Sequence, residues 1–260
     1  MKALNVTSLF VFASFAFATA FAQIASDNAS NYGGGWTNGT NQGSGFAAWD
    51  LSNNNNNGST IFSGYFIGDA TAGAGDINTS GNSFGIYANP GSAFATASRA
   101  FSSPLSVGQT FSVDLGVNFD NGNKGFNLLN GSQGEIFNFN VGSGASVSSS
   151  NGTINPNTAV SYDYGGAAAI QLQVTVDSAS QISYSVSRSS PQGLQGTLFD
   201  GTVTGLTSTP SAFALYNSGT DNGDAQNNLY FNNLEIIPEP AMAMLFMSGL
   251  GLIYFLRRRK

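Results

Sequence analysis

The sequence contains neither cysteine nor histidine. Without cysteine, an exported domain has no disulfides and must be held together by packing and backbone pairing. Without histidine, the usual general base, the usual zinc ligand and the ordinary pH switch are all missing. Few catalytic and metal-binding mechanisms therefore remain open to this chain.

Charged residues are scarce as well. They make up 8% of the 260 residues, against about 25% in a typical globular protein. Between residues 3 and 237 only three cations, Arg99, Lys124 and Arg188, stand against thirteen acidic residues, a net charge of −10. Nucleic-acid binding needs clustered lysine and arginine to release counterions from phosphate, so this composition argues against it.

The N-terminus has the three parts of a secretory signal peptide. Lys2 supplies the positive charge, residues 9–17 form a short apolar stretch, and the small residues Ala20 and Ala22 fit a cleavage site. A permanent membrane anchor fits less well because the apolar stretch is short and interrupted by polar residues. We therefore predict a signal helix in residues 1–22, handled by the Sec translocon and signal peptidase.

The C-terminus combines three further features. Pro238, Glu239 and Pro240 are followed by sixteen mostly apolar residues, 241–256. This run is slightly shorter than the about 20 residues that span a bilayer comfortably, but flanking cations can snorkel to the interface. The chain then ends in four consecutive cations: Arg257, Arg258, Arg259 and Lys260. By the positive-inside rule this predicts a transmembrane helix whose basic end stays in the cytoplasm, with residues 23–236 outside.

Together with Gly249, Leu250, Gly251 and Leu252 inside the apolar segment, these features resemble the PEP-CTERM sorting signal, which would occupy residues 237–260. The resemblance implies processing by exosortase, a membrane-embedded protease and transpeptidase of Gram-negative bacteria that recognises the Pro-Glu-Pro motif. It also implies a protein held transiently in the inner membrane and then placed at the cell surface or in the extracellular matrix, among exopolysaccharide. A GPI-anchor signal also has an apolar tail, but such tails normally end without cations.

The body of the chain shows the alternation of β-strands. Residues 111–119, 170–176 and 182–186 alternate apolar and polar side chains, and residues 177–180 suit a hairpin turn between the last two. Further strands are predicted at 61–67, 84–88, 93–101, 125–129, 135–141, 196–203, 212–216 and 229–236. The Asn-rich stretch 53–57 is predicted to be a loop, and the Gly/Ser-rich stretch 142–150 a loop or a flexible edge.

About a dozen short strands with polar turns favour an all-β domain of two antiparallel sheets over residues 23–236. A jelly roll like that of the lectins and glucanases is the preferred topology. A right-handed β-helix is the alternative, because Gly, Asn, Ser and Thr richness also suits solenoids.

An enzyme of this fold would need two carboxylates flanking a glycosidic bond. The glucanase-type jelly rolls carry an E-x-D-x-x-E cluster, but after Glu135 this chain has Phe137 and Asn138 where acids should stand. Glu235 is the only other glutamate in the body. We therefore predict a protein that is not an enzyme, with a secreted polysaccharide-active hydrolase or lyase as the alternative.

Two binding sites remain as hypotheses. Asp221 and Asp224 offer oxygen ligands of the kind that calcium accepts, although a turn explains them more simply. Tyr32, Trp36 and Trp49 lie among amides and glycines, the residue types that bind sugars, although core packing would also explain the large aromatics. We predict no other cofactor. The sequence thus predicts an exported, non-catalytic surface or matrix protein that is structural or associated with exopolysaccharide.

Overall fold

The computed structural model describes residues 23–56, 60–142, 145–155, 166–190 and 196–238. These residues form fifteen β-strands: β1 (Ala25–Asp27), β2 (Asp50–Asn53), β3 (Phe62–Gly68), β4 (Ser83–Asn89), β5 (Phe94–Ala100), β6 (Thr110–Val117), β7 (Asn123–Leu129), β8 (Glu135–Asn140), β9 (Ser146–Ser148), β10 (Thr153–Asn155), β11 (Ala168–Ser178), β12 (Gln181–Ser190), β13 (Gly196–Thr204), β14 (Ala212–Ser218) and β15 (Leu229–Ile237). The helical content of this part of the chain is three single 3-10 turns, Ala29–Asn31, Ala70–Ala72 and Ala225–Asn227.

The strands form two sheets in which every described pair is antiparallel. The large sheet has the order β10-β13-β12-β11-β6-β15-β4-β3, with β1 also paired to β15, and the small sheet has the order β2-β5-β14-β7-β8-β9. The prediction of an all-β fold of two antiparallel sheets is confirmed. The alternative of a right-handed β-helix is wrong, because a β-helix stacks parallel strands.

The core lies between the two sheets, and phenylalanine fills much of it. Phe111 of β6, in the large sheet, stacks on Phe213 and Phe126 of the small sheet with ring centroids 4.9 Å and 5.6 Å apart. All three side chains are fully buried, and each such burial contributes about 1.5–3 kcal/mol. Along β11 the alternation seen in the sequence becomes an inner face of Ile170, Leu172, Val174 and Val176 and an outer polar face.

The hairpin predicted at residues 177–180 is confirmed, since β11 and β12 pair from Ala169↔Ser190 to Ser178↔Gln181. The stretch 142–150, predicted to be a loop or a flexible edge, contains β9 at residues 146–148, which forms the edge of the small sheet against β8. Three short strands, β1, β2 and β10, were not predicted. They are three or four residues long and mostly polar, so pairing with a neighbouring strand determines them rather than local propensity.

The N-terminal segment joins the two sheets. β1 pairs with β15 of the large sheet, and β2 pairs with β5 of the small sheet. Between these strands, Trp36 and Trp49 are buried in the main core cluster. The segment is also fixed by a buried ion pair between Arg99 of β5 and Asp27 of β1.

No helix among the described residues is long and apolar enough to cross a membrane. The predicted signal helix (1–22) and transmembrane helix (241–256) lie outside the described residues.

Candidate functional site

A cavity of about 550 Å³ lies beside the N-terminal segment and the edge strand β3. It is lined by aromatic residues, two aliphatic residues, small polar residues and two glycines: Tyr32, Trp36, Tyr65, Phe66, Ala29, Ile67, Ser30, Thr37, Asn82, Gly33 and Gly35. Space around residues 33–35 is open, because a Cβ built on any of these glycines meets no atom within 4 Å. We call this cavity the Trp36 pocket. Two of the three aromatic residues that the sequence proposed for sugar binding, Tyr32 and Trp36, line it.

The third, Trp49, is placed differently. Its side chain is 1% exposed, and its Nε1 donates to the Tyr32 hydroxyl at 2.9 Å. The guanidinium carbon of Arg99 lies 4.8 Å from the centre of the indole ring. No face of Trp49 is left for a sugar, so the structure corrects this part of the sugar-binding hypothesis: Trp49 is a core residue, as a buried β-sandwich aromatic often is.

The polar ends of the pocket aromatics are mostly occupied. The Tyr32 hydroxyl donates to Asp27 at 2.6 Å, and the Tyr65 hydroxyl bonds the carbonyl oxygens of Ser52 and Thr96. Burial raises the pKa of Tyr32, and it raises the pKa of Tyr65 to about 12. Both phenols therefore stay neutral at ordinary pH.

The indole N–H of Trp36 is different. It is buried and has no hydrogen-bond partner among the described residues. The ring itself packs against Phe84, Trp49, Tyr65 and Phe231 at centroid distances of 4.7–5.7 Å. An unpaired buried donor costs free energy until an acceptor meets it. The pocket thus combines aromatic walls with the hydroxyls of Ser30 and Thr37 and the amide of Asn82, which suits a small neutral polar ligand.

A second, wholly different concavity of about 520 Å³ lies on the outer face of β11, β12 and β13. Its lining is mostly polar: Gln173, Thr175, Ser183, Tyr184, Ser185, Thr197, Asp200, Gly201 and Thr202. The one aromatic residue in this lining, Tyr184, is 4% exposed, and its ring packs on Phe137 at a centroid distance of 4.8 Å.

The glutamates weighed for catalysis do not come together. Glu135 starts β8 of the small sheet, where burial raises its pKa, whereas Glu235 lies on β15 of the large sheet. Glu235 is instead near Asp114 of β6. Asp114 pairs with Asn232, and Ser112, two residues earlier on β6, pairs with Glu235. Both oxygens of Asp114 already accept hydrogen bonds, from Gln171 at 3.1 Å and Asn233 at 2.9 Å.

Asp221 and Asp224, the calcium candidates, are exposed in the loop between β14 and β15. Asp224 is the N-cap of the 3-10 turn Ala225–Asn227, and Asp221 accepts from Asn121 at 2.9 Å. Among the described residues no three Asp or Glu side chains are grouped to hold a metal. Calcium binding stays a prediction.

The described cations are buried, whereas nearly all of the described acids reach the surface. Arg99, Lys124 and Arg188 are 2%, 0% and 6% exposed. Of the described acids, Asp27 is buried and the others are exposed or half-buried. The described surface therefore presents carboxylates without any lysine or arginine to balance them, which disfavours contact with phosphates or other anions.

Of the sorting motif, Pro238 follows directly after the end of β15 at Ile237. Glu239, Pro240 and the four terminal cations lie outside the described residues, so their predicted roles stay predictions.

No protein-family model matches the chain, and no curated protein matches it. Among solved structures, the carbohydrate esterase vb_24B_21 of the Shiga toxin-encoding bacteriophage phi24B is 12% identical, over 74% of this chain and 90% of that one, with a TM-score of 0.41. The calcium-bound exoplasmic domain of VIP36 is 13% identical over 73% and 83%, with a TM-score of 0.38. Lectin I-B4 of Griffonia simplicifolia is 11% identical over 72% and 98%, with a TM-score of 0.34. Similarities this low assign neither activity nor ligand to this chain.

Proposed function

We propose that this protein is an exported cell-surface or extracellular-matrix component that carries a PEP-CTERM sorting signal. A signal helix in residues 1–22 directs export. A jelly-roll sandwich follows, and exosortase of a Gram-negative bacterium processes the chain near Pro238, Glu239 and Pro240. Until that step the apolar helix and the terminal cations hold the protein in the inner membrane. The mature domain is non-catalytic and serves as a structural or glycan-associated part of the exopolysaccharide matrix.

The observation that carries this proposal is the order of the last 23 residues: Pro-Glu-Pro, one apolar segment and four cations, behind an N-terminal signal sequence. The end of the fold supports it, because β15 runs to Ile237 and the motif begins at the next residue. A recognition motif placed directly after the last strand leaves the whole sandwich on one side of the cleavage point.

Association with a glycan is supported by the Trp36 pocket and by the surface charge. Aromatic rings, hydroxyls and amides are the groups that contact pyranose rings and their hydroxyls, and the pocket lining contains all three. The described surface carries only acidic charge. An uncharged polysaccharide fits this surface better than an acidic one, because like charges repel.

The sorting step is tested by intact-mass measurement and cell fractionation in the native host. The wild-type chain is expected to lose its terminal cations and to be recovered from the surface or medium. Glu239→Gln and deletion of residues 257–260 are expected to leave unprocessed precursor in the inner membrane. Glu235→Gln, four residues upstream inside β15, is the matched control and should mature normally. Normal release of both tail variants would contradict exosortase processing.

The second candidate function, a polysaccharide hydrolase or lyase with the same tail, is favoured by one observation. Asp114 and Glu235 lie on neighbouring strands, β6 and β15, where a register irregularity separates the pair Asp114–Asn232 from the pair Ser112–Glu235. Two carboxylates that flank the scissile bond are what a glycosidase needs. The non-catalytic function stays first because both oxygens of Asp114 are already bound by side-chain amides.

Reducing-end release from the host exopolysaccharide distinguishes the two functions. We expect no release by the mature wild-type protein. Release that Asp114→Asn and Glu235→Gln each abolish, while Asp200→Asn leaves it intact, would establish the enzyme instead.

A further inference from the structure

The outer face of the β3–β4 hairpin carries a row of aromatic rings that the Trp36 pocket does not account for. Along β3, Phe62, Gly64 and Phe66 alternate with inward residues, so these three positions share the outer face. On β4, Tyr87 stands opposite Gly64, and Gly85 stands opposite Phe66. Each of the two central aromatic residues is therefore paired across the strands with a glycine.

Because glycine has no side chain, each ring can lie flat against the backbone of the opposite strand. A Cβ built on Gly85 would sit 2.2, 2.5 and 2.6 Å from three atoms at the tip of the Phe66 ring. Such nearly equal distances place that Cβ over the face of the ring rather than beyond its edge. On Gly64 the same construction meets the Tyr87 hydroxyl oxygen at 2.7 Å and its ring carbon at 3.0 Å. Only glycine leaves room for a ring here, as in the aromatic rescue of glycines in designed sheets.

A ring with one face on the sheet presents its other face outward. Phe66 and Tyr87 are half-buried, and Phe62, at the other end of the row, is 46% exposed. The Phe66 and Tyr87 rings are 6.3 Å apart with planes inclined by 40°. Phe66 also makes a T-shaped contact with Tyr230, at 5.7 Å and 89°, and packs against the small cluster that Tyr230 forms with Ala70, Ala74, Ile77 and Ala169. Part of its ring is nevertheless exposed to solvent. We call Phe62, Phe66 and Tyr87 the aromatic strip.

The occupant of the aromatic strip is restricted by shape and by charge. Outward ring faces in a row suit a ligand with flat apolar faces at regular intervals, which is how successive pyranose rings present their axial C–H groups. No exposed lysine or arginine exists among the described residues to bind an anion. A nucleic acid or a uronic-acid polysaccharide would instead meet only carboxylates, which repel it.

We propose that the aromatic strip binds an uncharged polysaccharide by stacking successive sugar rings on Phe62, Tyr87 and Phe66. Phe66 also lines the Trp36 pocket, so strip and pocket adjoin. The pocket admits one small polar unit, whereas the strip follows the length of a chain. This inference rests on the proposed association with glycan and adds to it a ligand class and a binding surface.

The test is native electrophoresis of the mature protein from its host through gels that contain the host's exopolysaccharide, separated into neutral and uronic-acid-bearing fractions. The wild-type protein is expected to be retarded by the neutral fraction only. Phe62→Ala and Tyr87→Ala should each weaken that retardation about tenfold, the scale of one lost aromatic stacking contact. Tyr87→Phe keeps the ring and should bind as the wild type does.

Phe94→Ala on β5 of the small sheet is the matched control, because Phe94 is 44% exposed and lies on the other sheet. It should leave retardation unchanged. Thermal unfolding of each variant separates lost binding from lost folding, and Phe62 is exposed enough for its removal to leave the fold intact. Intact mass reports the sorting step independently.

Four results would overturn the proposal in distinguishable ways. Retardation of the wild type that Phe62→Ala and Tyr87→Ala do not reduce would place the glycan elsewhere and leave the proposed function standing. Equal retardation by the uronic-acid fraction would refute the charge argument. No retardation by either fraction would refute glycan association as well. A dimer that Phe62→Ala converts to monomer would mean that a second copy of the chain covers the strip.

Discussion

Two buried cations of the small sheet are accommodated in opposite ways. The Arg99 guanidinium is paired with the Asp27 carboxylate, and it also bonds Asn41 and the carbonyl oxygen of Ala47. The rings of Phe46 and Trp49 lie 5.0 Å and 4.8 Å from its central carbon. The side chains of both partners of this ion pair have no exposure to solvent.

Lys124 is just as buried, yet no carboxylate bonds to it among the described residues. Its ammonium donates to the carbonyl oxygens of Phe119 at 2.7 Å and Asn227 at 3.0 Å. Burial lowers the pKa of Lys124 to about 8, and the charges of Asp120 and Asp221 oppose that shift only in part. Nearby, the side-chain amide oxygens of Asn217 and Asn227 have no donor within the described part of the chain.

The difference teaches how a chain with so few charges uses them inside its fold. Arg99 joins β5 to the N-terminal segment through a partner of opposite charge, so its charge cannot be removed without leaving the other one buried. Lys124 is solvated by carbonyl dipoles alone, and it can release its proton without leaving an uncompensated anion. Breaking the Arg99–Asp27 ion pair should therefore reduce the free energy of unfolding strongly, whereas the contribution of Lys124 to that free energy should depend on pH.

The largest effect is expected from Asp27→Asn. The variant keeps the shape of the side chain but leaves Arg99 buried without an anion, which should reduce the free energy of unfolding by about 3–5 kcal/mol. Urea denaturation measures it. Asp50→Asn, at an exposed acid on β2, is the control and should change stability by less than about 0.5 kcal/mol. Similar values for the two variants would show that the ion pair does not fasten the N-terminal segment.

Lys124→Met should change the pH dependence of stability. The native pKa of Lys124 is about 8, below the ordinary lysine value of 10.5. Between these values the unfolded chain binds a proton that the folded chain has released, so the free energy of unfolding rises with pH. The wild type should therefore gain about 3 kcal/mol relative to Lys124→Met from pH 8 to pH 10.5.

Urea denaturation at pH 7, 8, 9 and 10.5 measures that difference. The tyrosines titrate alike in both proteins, so their contribution to stability cancels in that difference. Among them, Tyr65 and Tyr216 have pKa values that burial raises to about 12. A constant difference across this pH range would mean that Lys124 titrates as an exposed lysine does.

Tyr32→Phe should destabilise the protein less than Asp27→Asn does. It removes the donor to Asp27 and the acceptor for Trp49 Nε1, so we expect a loss of about 1–2 kcal/mol. A double-mutant cycle with Asp27→Asn should show non-additivity, because both changes act on one hydrogen-bonded network. Additive losses would show that Tyr32 and the ion pair stabilise the segment independently.

Much of the fold could be predicted from alternation in the sequence. Residues 111–119 and 170–176 alternate cleanly, and they became β6 and β11, which pair from Thr110↔Thr175 to Val117↔Ala168. The joining of Asp27 to Arg99 could not be predicted, because 72 residues separate them and only the completed sheets bring them together.

The candidate site was predictable in composition but not in geometry. Tyr32, Trp36 and Trp49 stand out as aromatics among amides, yet which of them faces a cavity depends on how the segment packs between the sheets. The aromatic strip had no sequence signal, because Gly85 faces Phe66, and Gly64 faces Tyr87, only in one strand register.

The last strand gives the domain a mechanical property. β15 lies inside the large sheet, with β6 on one side and β1 and β4 on the other, and its final residues pair with both β6 and β1. A pull applied at Pro238 would run along β15 and load these hydrogen bonds together in shear, whereas an edge strand can be unzipped one bond at a time. A domain tethered by its C-terminus would therefore resist tension through the centre of its larger sheet.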